Sequence, residues 1–175
     1  WDDSSTKASW RNRKKGQPFF HVYNMHVTHE GSLHFTENEM KTNPTKNSSE
    51  NVFVAPNHPN TKTFKYTNAF YKDRIQMMDN QVGELVKELE KDGLLENTII
   101  FYYGDHGGVL PNSKGYLKET GLHVPLVVYV PQKLKNVSPF PIGSSTDKFI
   151  SFIDLSATVL NLAGIKIPKT IDGKP

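Results

Sequence analysis

The chain contains no cysteine, so it can build neither a disulfide framework nor a zinc–thiolate centre. No apolar run approaches the roughly 20 residues that a membrane-spanning helix needs, and the first residues do not read as a secretory leader. Charge of one sign is also missing. The 21 Lys and Arg against 18 Asp and Glu leave a net charge of +3, too small and too scattered for the electrostatic footprint of a nucleic-acid binder. Hydrophobic residues are sparse at 36%, while 12 Gly and 11 Pro are present. That balance disfavours a helical bundle and suits a loop-rich α/β chain. There is no internal repeat. With 175 residues the chain is long enough for one compact domain and short for a large enzyme. It starts at Trp1 without an initiating methionine and stops at Asp172-Gly-Lys-Pro175, so both ends read as cut.

What is present is organised around Ile99-Ile-Phe-Tyr-Tyr-Gly-Asp-His-Gly-Gly-Val-Leu-Pro-Asn-Ser-Lys114. The apolar, β-branched and aromatic run predicts a buried strand, of the kind that parallel sheets use. It stops at Gly104 and delivers two metal-ligand side chains, Asp105 and His106, with Lys114 a few residues on. In open α/β sheets, ligands bind beyond the carboxyl ends of such strands. The plain alternative is that Gly-Asp-His-Gly-Gly is only a polar loop.

A basic, polar approach with Arg11, Arg13, Lys14 and Lys15 leads to Pro18 and a second predicted strand, Phe19-Phe-His-Val-Tyr23. Such a cluster is more simply a solvated approach than a nucleic-acid patch. The run leaves into Asn24-Met-His-Val-Thr-His29, which sets His26 and His29 at another polar strand exit. Residues 30–63 carry Asn, Thr, Ser and Pro with little periodicity and are too long for an ordinary connection, so they read as a substrate-facing excursion. Within them Val52-Phe-Val54 is a candidate short strand. Asn47-Ser-Ser49 and Asn136-Val-Ser138 match the glycosylation triplet, which matters only in a secreted eukaryotic protein. A helix is expected over 67–91, with Tyr71, Ile75, Met78, Val82, Leu85 and Leu89 on one packing face and Gly93 as its stop. Strand, excursion, helix and strand in that order favour parallel pairing. Pro125 opens another expected buried strand that Pro131 closes. A second helix is expected from about Ser151 to Gly164.

Asp105 offers a hard oxygen and His106 an imidazole nitrogen, a pair compatible with Ca²⁺, Mg²⁺ or zinc but too few to complete any of their spheres. No second acidic cluster stands at a strand exit; Asp2 and Asp3 are terminal acids, normally solvated. A lysine such as Lys114 stabilises charge developing on a sulfuryl or phosphoryl group, and a histidine such as His29 can protonate a leaving alkoxide.

Five segments, in order, resemble the sulfatases of the alkaline phosphatase superfamily, in the later part of their catalytic domain. They are Pro18-Phe-Phe-His-Val-Tyr-Asn-Met-His-Val-Thr-His29; the helix from Tyr71 with Met78-Asp79 and Val82-Gly83; and Leu94-Leu-Glu-Asn-Thr-Ile-Ile-Phe-Tyr-Tyr-Gly-Asp-His-Gly107. Ser113-Lys-Gly-Tyr-Leu-Lys-Glu-Thr-Gly-Leu-His-Val-Pro125 and Phe152-Ile-Asp-Leu-Ser-Ala-Thr-Val-Leu-Asn-Leu-Ala-Gly-Ile165 complete the series. The resemblance implies an alkaline-phosphatase-like sandwich with a mainly parallel sheet flanked by helices, of which residues 1–175 are a part. It implies that Asp105 and His106 are metal ligands for one divalent cation, Ca²⁺ with Mg²⁺ as the alternative. The family more often carries Asn where His106 stands. Lys114 and His29 would be the catalytic and substrate-binding contacts to the sulfate ester, with His26 as a substrate-side neighbour.

Sulfatases take their nucleophile from a formylglycine made in a Cys/Ser-x-Pro/Ala-x-Arg motif. This chain has no cysteine, and none of its serines stands in that pattern. The early acidic metal ligands of the family also have no match. The expectation is therefore the later portion of a sulfatase, inactive alone, whose parent hydrolyses sulfate esters or N-sulfonates, with a sulfated glycan as the expected substrate and an extracytosolic location (periplasm, lysosome or secreted). Two other readings stay open: a phosphodiesterase or phosphonate hydrolase of the same superfamily, and a non-catalytic sulfatase-like module holding anionic glycans.

Overall fold

The structure, a computed structural model, describes residues 1–175. Its regular elements are helices α1 (Glu37–Thr42), α2 (Lys62–Lys91), α3 (Glu119–Leu122) and α4 (Phe152–Leu162), and strands β1 (Ile100–Tyr103) and β2 (Leu126–Tyr129). Short 3₁₀ turns fill some of the connections. The residues group into two compact units, Trp1–Glu84 with Gly107–Leu122, and Leu85–His106 with His123–Pro175. No helix is long and apolar enough to cross a membrane.

In the first unit, buried Trp10 packs against Phe19 and meets the edge of His21. The basic cluster beside it is partly consumed by this packing. Arg11 lies over the Trp10 ring and Arg13 over Phe19, and Arg13 also donates to the Trp10 and Gln17 carbonyls. Cation–π contacts of this kind use arginine as a packing residue. A second nucleus forms where Phe35 meets Tyr66 and Phe70 of α2, with Phe35 and Tyr66 4.8 Å apart edge to face. Tyr66 and Ala69 are buried there.

The excursion over 30–63 is tied down on α2. Asp73 accepts hydrogen bonds from the Lys46 and Asn47 backbone and from the Asn47 side chain at 2.7–2.9 Å, and the Tyr66 hydroxyl donates to the Asn43 carbonyl. Burial would raise the Asp73 carboxyl, but the donors from Asn47 and Lys46 outweigh it and hold the group below its ordinary range. Asn47 of the first glycosylation triplet is thus engaged in docking, while Asn136 of the second is exposed. Helix α1 starts with a capping box, Thr36 accepting from Glu39 and Glu39 reaching back to the Thr36 amide.

In the second unit β1 and β2 pair antiparallel, Ile100 opposite Tyr129 and Tyr103 opposite Leu126. The Gly104 amide adds a bond to the Pro125 carbonyl. Helix α2 ends in this unit and α4 follows the strands. Both stop at a left-handed glycine, Gly93 at φ +67° and Gly164 at φ +68°. In each case the next residue's amide reaches back five residues, Leu94 to Leu89 and Ile165 to Leu160, satisfying carbonyls at the helix end. The tail folds over the start of α4, where Asp154 accepts from the Lys174 and Ser151 amides.

Several expectations are corrected. The mainly parallel sheet is absent: the one sheet is an antiparallel pair. Residues 19–23 and 52–54 form no strand: neither pairs with β1, β2 or another segment, and a strand without a ladder partner leaves its backbone groups to solvent. Phe20, Val22 and Tyr23 are exposed, and so are Val127, Val128 and Tyr129 of β2. Successive strand residues point to opposite faces, so the strand expected to be buried is open on both of them, as a two-stranded pair alone cannot cover itself. On α2 the predicted stripe is a packing face in its later part, with Leu89 buried, but Ile75 is exposed.

Candidate functional site

The predicted site residues fall into two clusters, one in each unit. In the second unit, β1 carries the chain through Gly104 to Asp105 and His106. The His106 Nε2 lies 3.7 Å from Asp105 Oδ1, and the Asp105 side chain is 86% exposed. Two ligands of one cation, each about 2.0–2.6 Å from it, can stand that far apart. The donor set suits a divalent cation that takes both oxygen and nitrogen. It fills only part of a sphere, since no group of three or more His, Asp or Glu side chains in this chain could hold a metal ion.

The second cluster, in the first unit, is built by two loops. The first is the turn at His29. The His29 amide donates to the His26 carbonyl, and the Ser32 amide and hydroxyl both donate to the His29 carbonyl. The Ser32 hydroxyl also reaches the Val27 carbonyl. The His29 Nδ1 accepts from the Gly31 amide at 3.2 Å. An imidazole whose Nδ1 accepts, when neutral, carries its proton on Nε2, so His29 is set to donate outward from that atom. His26 contributes its backbone carbonyl to this turn.

The second loop runs over 107–122. Gly107 donates to the Gly121 carbonyl at 3.0 Å. A Cβ on Gly107 would fall 2.0 Å from the Thr120 carbonyl oxygen, and one on Gly121 would fall 2.3 Å from the Tyr116 oxygen. Only glycine allows the two backbones so close. Within this closed loop Ser113 is buried and the Lys114 amide donates to the Gly108 carbonyl. Asn112, at φ +67°, accepts from Thr120 and Lys118. Lys114 therefore leaves an anchored backbone.

Its ammonium meets Glu30 Oε2 at 2.8 Å. The hydrogen bond and charge of Lys114 hold the Glu30 carboxyl below its ordinary range against a small opposing burial, with His29 and His34 adding to the effect. The structure thus brings Lys114 to Glu30, the residue next to His29. Sequence reasoning chose Lys114 and His29 and missed Glu30, because an acidic residue after a loop histidine has no local signature. An open cleft of about 420 Å³ beside Phe53, His58 and Lys65, and a second of similar volume beside Lys135 and Phe140, include none of the predicted residues.

Comparison with known proteins gives this geometry its context. Residues 3–165 match the family model described as Sulfatase. An ulvan-active sulfatase of Formosa agariphila is 35% identical over 205 aligned positions, which cover 99% of this chain and 33% of that protein. Arylsulfatase K of Bos taurus is 30% identical, covering 64% of this chain and 20% of its own length. An arylsulfatase of Clostridium perfringens is 30% identical, covering 65% and 24%. The chain spans a third or less of the length of these curated relatives. With a family match over most of its residues and a relative aligned along nearly all of them, the chain belongs to the sulfatase family.

Proposed function

We propose that the chain is the later portion of the catalytic domain of a sulfuric ester hydrolase, part of an alkaline-phosphatase-like sandwich whose remaining strands come from elsewhere in the parent. The observation that carries this reading is the family match over residues 3–165. The lysine expected to bind the ester supports it, since Lys114 already holds an anionic oxygen at 2.8 Å. The parent removes sulfate from esters or N-sulfonates, and a sulfated glycan is the substrate class we favour. The Formosa relative is by name active on ulvan.

In this reading Lys114 places its ammonium against a non-bridging sulfuryl oxygen and offsets the charge that grows there. His29 offers its Nε2–H as a hydrogen bond to the bridging oxygen, stabilising the charge that builds there as the alcohol departs. His26 lies on the substrate side of the same turn. Asp105 and His106 would be two of the residues holding a divalent cation, Ca²⁺ by family resemblance, which when bound would supply Lewis-acid polarisation of the sulfuryl group. No residue of this chain can become the formylglycine nucleophile, so the 175 residues by themselves do not turn over. We place the parent outside the cytosol, as is common in the family.

The test uses the full-length, matured protein. Sulfate release from an aryl sulfate and from sulfated oligosaccharides is followed by ion chromatography, before and after chelation and Ca²⁺ readdition. Release that is lost with the metal and restored by it supports the reading. An intact protein that binds no divalent cation and releases no sulfate refutes it.

A further inference from the structure

The Lys114–Glu30 pair is not a meeting of two free surface side chains. The Lys114 backbone is fixed by its bond to Gly108 and by the Gly107–Gly121 closure, next to buried Ser113. Glu30 opens the 3₁₀ turn that follows His29, and that turn is pinned by Gly31 on His29 Nδ1 and by Ser32 on the Val27 and His29 carbonyls. Both ends of the 2.8 Å contact are therefore anchored, while the Lys114 side chain is one-third exposed and Glu30 one-half. Solvent reaches both, and so can a ligand.

A carboxylate beside an anion-binding lysine has a chemical consequence. It orients the ammonium and at the same time lowers the positive charge that an incoming anion meets. A sulfate monoester carries one negative charge, whereas a phosphate monoester carries close to two above its second pKa of about 6. The repulsion from a fixed carboxylate scales with ligand charge, so the dianion is penalised about twice as strongly.

We propose that Glu30 is a specificity-determining and positioning residue: it holds Lys114 in place and sets the local charge so that monoanionic sulfate esters are accepted over dianionic phosphate monoesters. This rests on the reading that Lys114 contacts the ester. One unit of ligand charge a few ångströms from the carboxylate, partly screened by solvent, corresponds to a change in preference on the order of tenfold.

The test compares full-length wild type with Glu30→Gln and Glu30→Ala at about pH 8, where phenyl phosphate is dianionic. The measurements are kcat and KM for 4-nitrophenyl sulfate and the competitive Ki of phenyl phosphate. Glu30→Gln keeps a hydrogen-bond acceptor for Lys114 and removes the charge. Its Ki for phenyl phosphate, relative to KM for the sulfate ester, should fall by about tenfold. Glu30→Ala should show the same shift with a lower kcat, because Lys114 also loses its anchor. A residue of structural importance only would lower stability and kcat and leave that ratio unmoved. A ratio within about twofold of wild type in a folded Glu30→Gln protein overturns the proposal.

A measurement on wild type alone covers the case in which the variants do not fold. Monoanionic methyl phenyl phosphate should inhibit several-fold more tightly than dianionic phenyl phosphate, and equal or reversed affinities overturn the proposal. Failure of the functional reading looks different: a matured wild type that hydrolyses no sulfate ester sinks both, whereas an active sulfatase without the charge preference sinks only the role of Glu30.

Discussion

Replacing Gly107 with alanine tests whether the loop that carries Lys114 is held by backbone contact. The new Cβ would lie 2.0 Å from the Thr120 oxygen, 2.5 Å from the Gly121 Cα and 2.8 Å from the Thr120 carbonyl carbon. All three are backbone atoms, so no side chain can swing aside. The 107–122 loop must open by about 1 Å or more, which breaks the Gly107–Gly121 hydrogen bond. A lost hydrogen bond costs about 1 kcal/mol and forced overpacking about 1–3 kcal/mol, so we predict a loss of about 2–4 kcal/mol. In a domain of about 150–250 residues that would lower Tm by about 4–16 °C, and in the longer full-length protein the drop should be smaller but still measurable. Gly83→Ala is the control. It lies within α2, its Cβ meets nothing within 4 Å, and alanine in a helix interior should raise stability by about 0.5–1 kcal/mol. Both variants are made in the full-length protein and followed by thermal unfolding and sulfate-ester turnover. Gly107→Ala should also weaken substrate binding, since Lys114 moves with the loop. A Gly107→Ala protein with wild-type Tm would refute the close backbone approach.

Three further outcomes are predicted. Asp105→Ala in the full-length protein should reduce sulfate-ester turnover by on the order of a hundredfold or more with the circular dichroism spectrum retained; near-wild-type turnover would remove Asp105 from the metal site. Asp73 has a depressed folded-state pKa, so its stabilisation is present above the unfolded value near pH 4 and is lost as pH falls through the folded one. Asp73→Asn should therefore cost about 1 kcal/mol at neutral pH, discounted for its partial exposure, and the difference from wild type should shrink in acid unfolding series; a difference independent of pH would contradict this. Thr36→Ala removes the capping box of α1 and should cost about 1 kcal/mol, read from a shifted denaturation midpoint, and an unchanged midpoint would show that α1 does not contribute to the cooperative fold.

Features with local causes were legible. The later part of α2, its stop at Gly93, α4 and its stop at Gly164 all follow from periodicity within a few turns and from the one residue that takes φ > 0 without cost. The beginning of α2 at Lys62 was missed by five residues, although Thr61, whose hydroxyl accepts from the Phe64 amide, is a cap of the usual type. Helix α1 was also missed, and there the Thr36-x-x-Glu39 capping box was a signal within the excursion.

The order of polar and apolar segments determined by itself that β1 delivers Asp105 and His106 past Gly104 and that a lysine follows, and the resemblance of five segments to the sulfatases implied the family. Those are properties of neighbouring residues, and they survive in the linear text. Only the tertiary structure decided that β1 and β2 run antiparallel, that residues 19–23 take no ladder partner, and that Asn47 docks on Asp73. It also decided that Glu30 faces Lys114. These depend on residues far apart in the chain and on how loops close, as at Gly107, whose lack of a side chain lets its backbone meet Thr120 and Gly121.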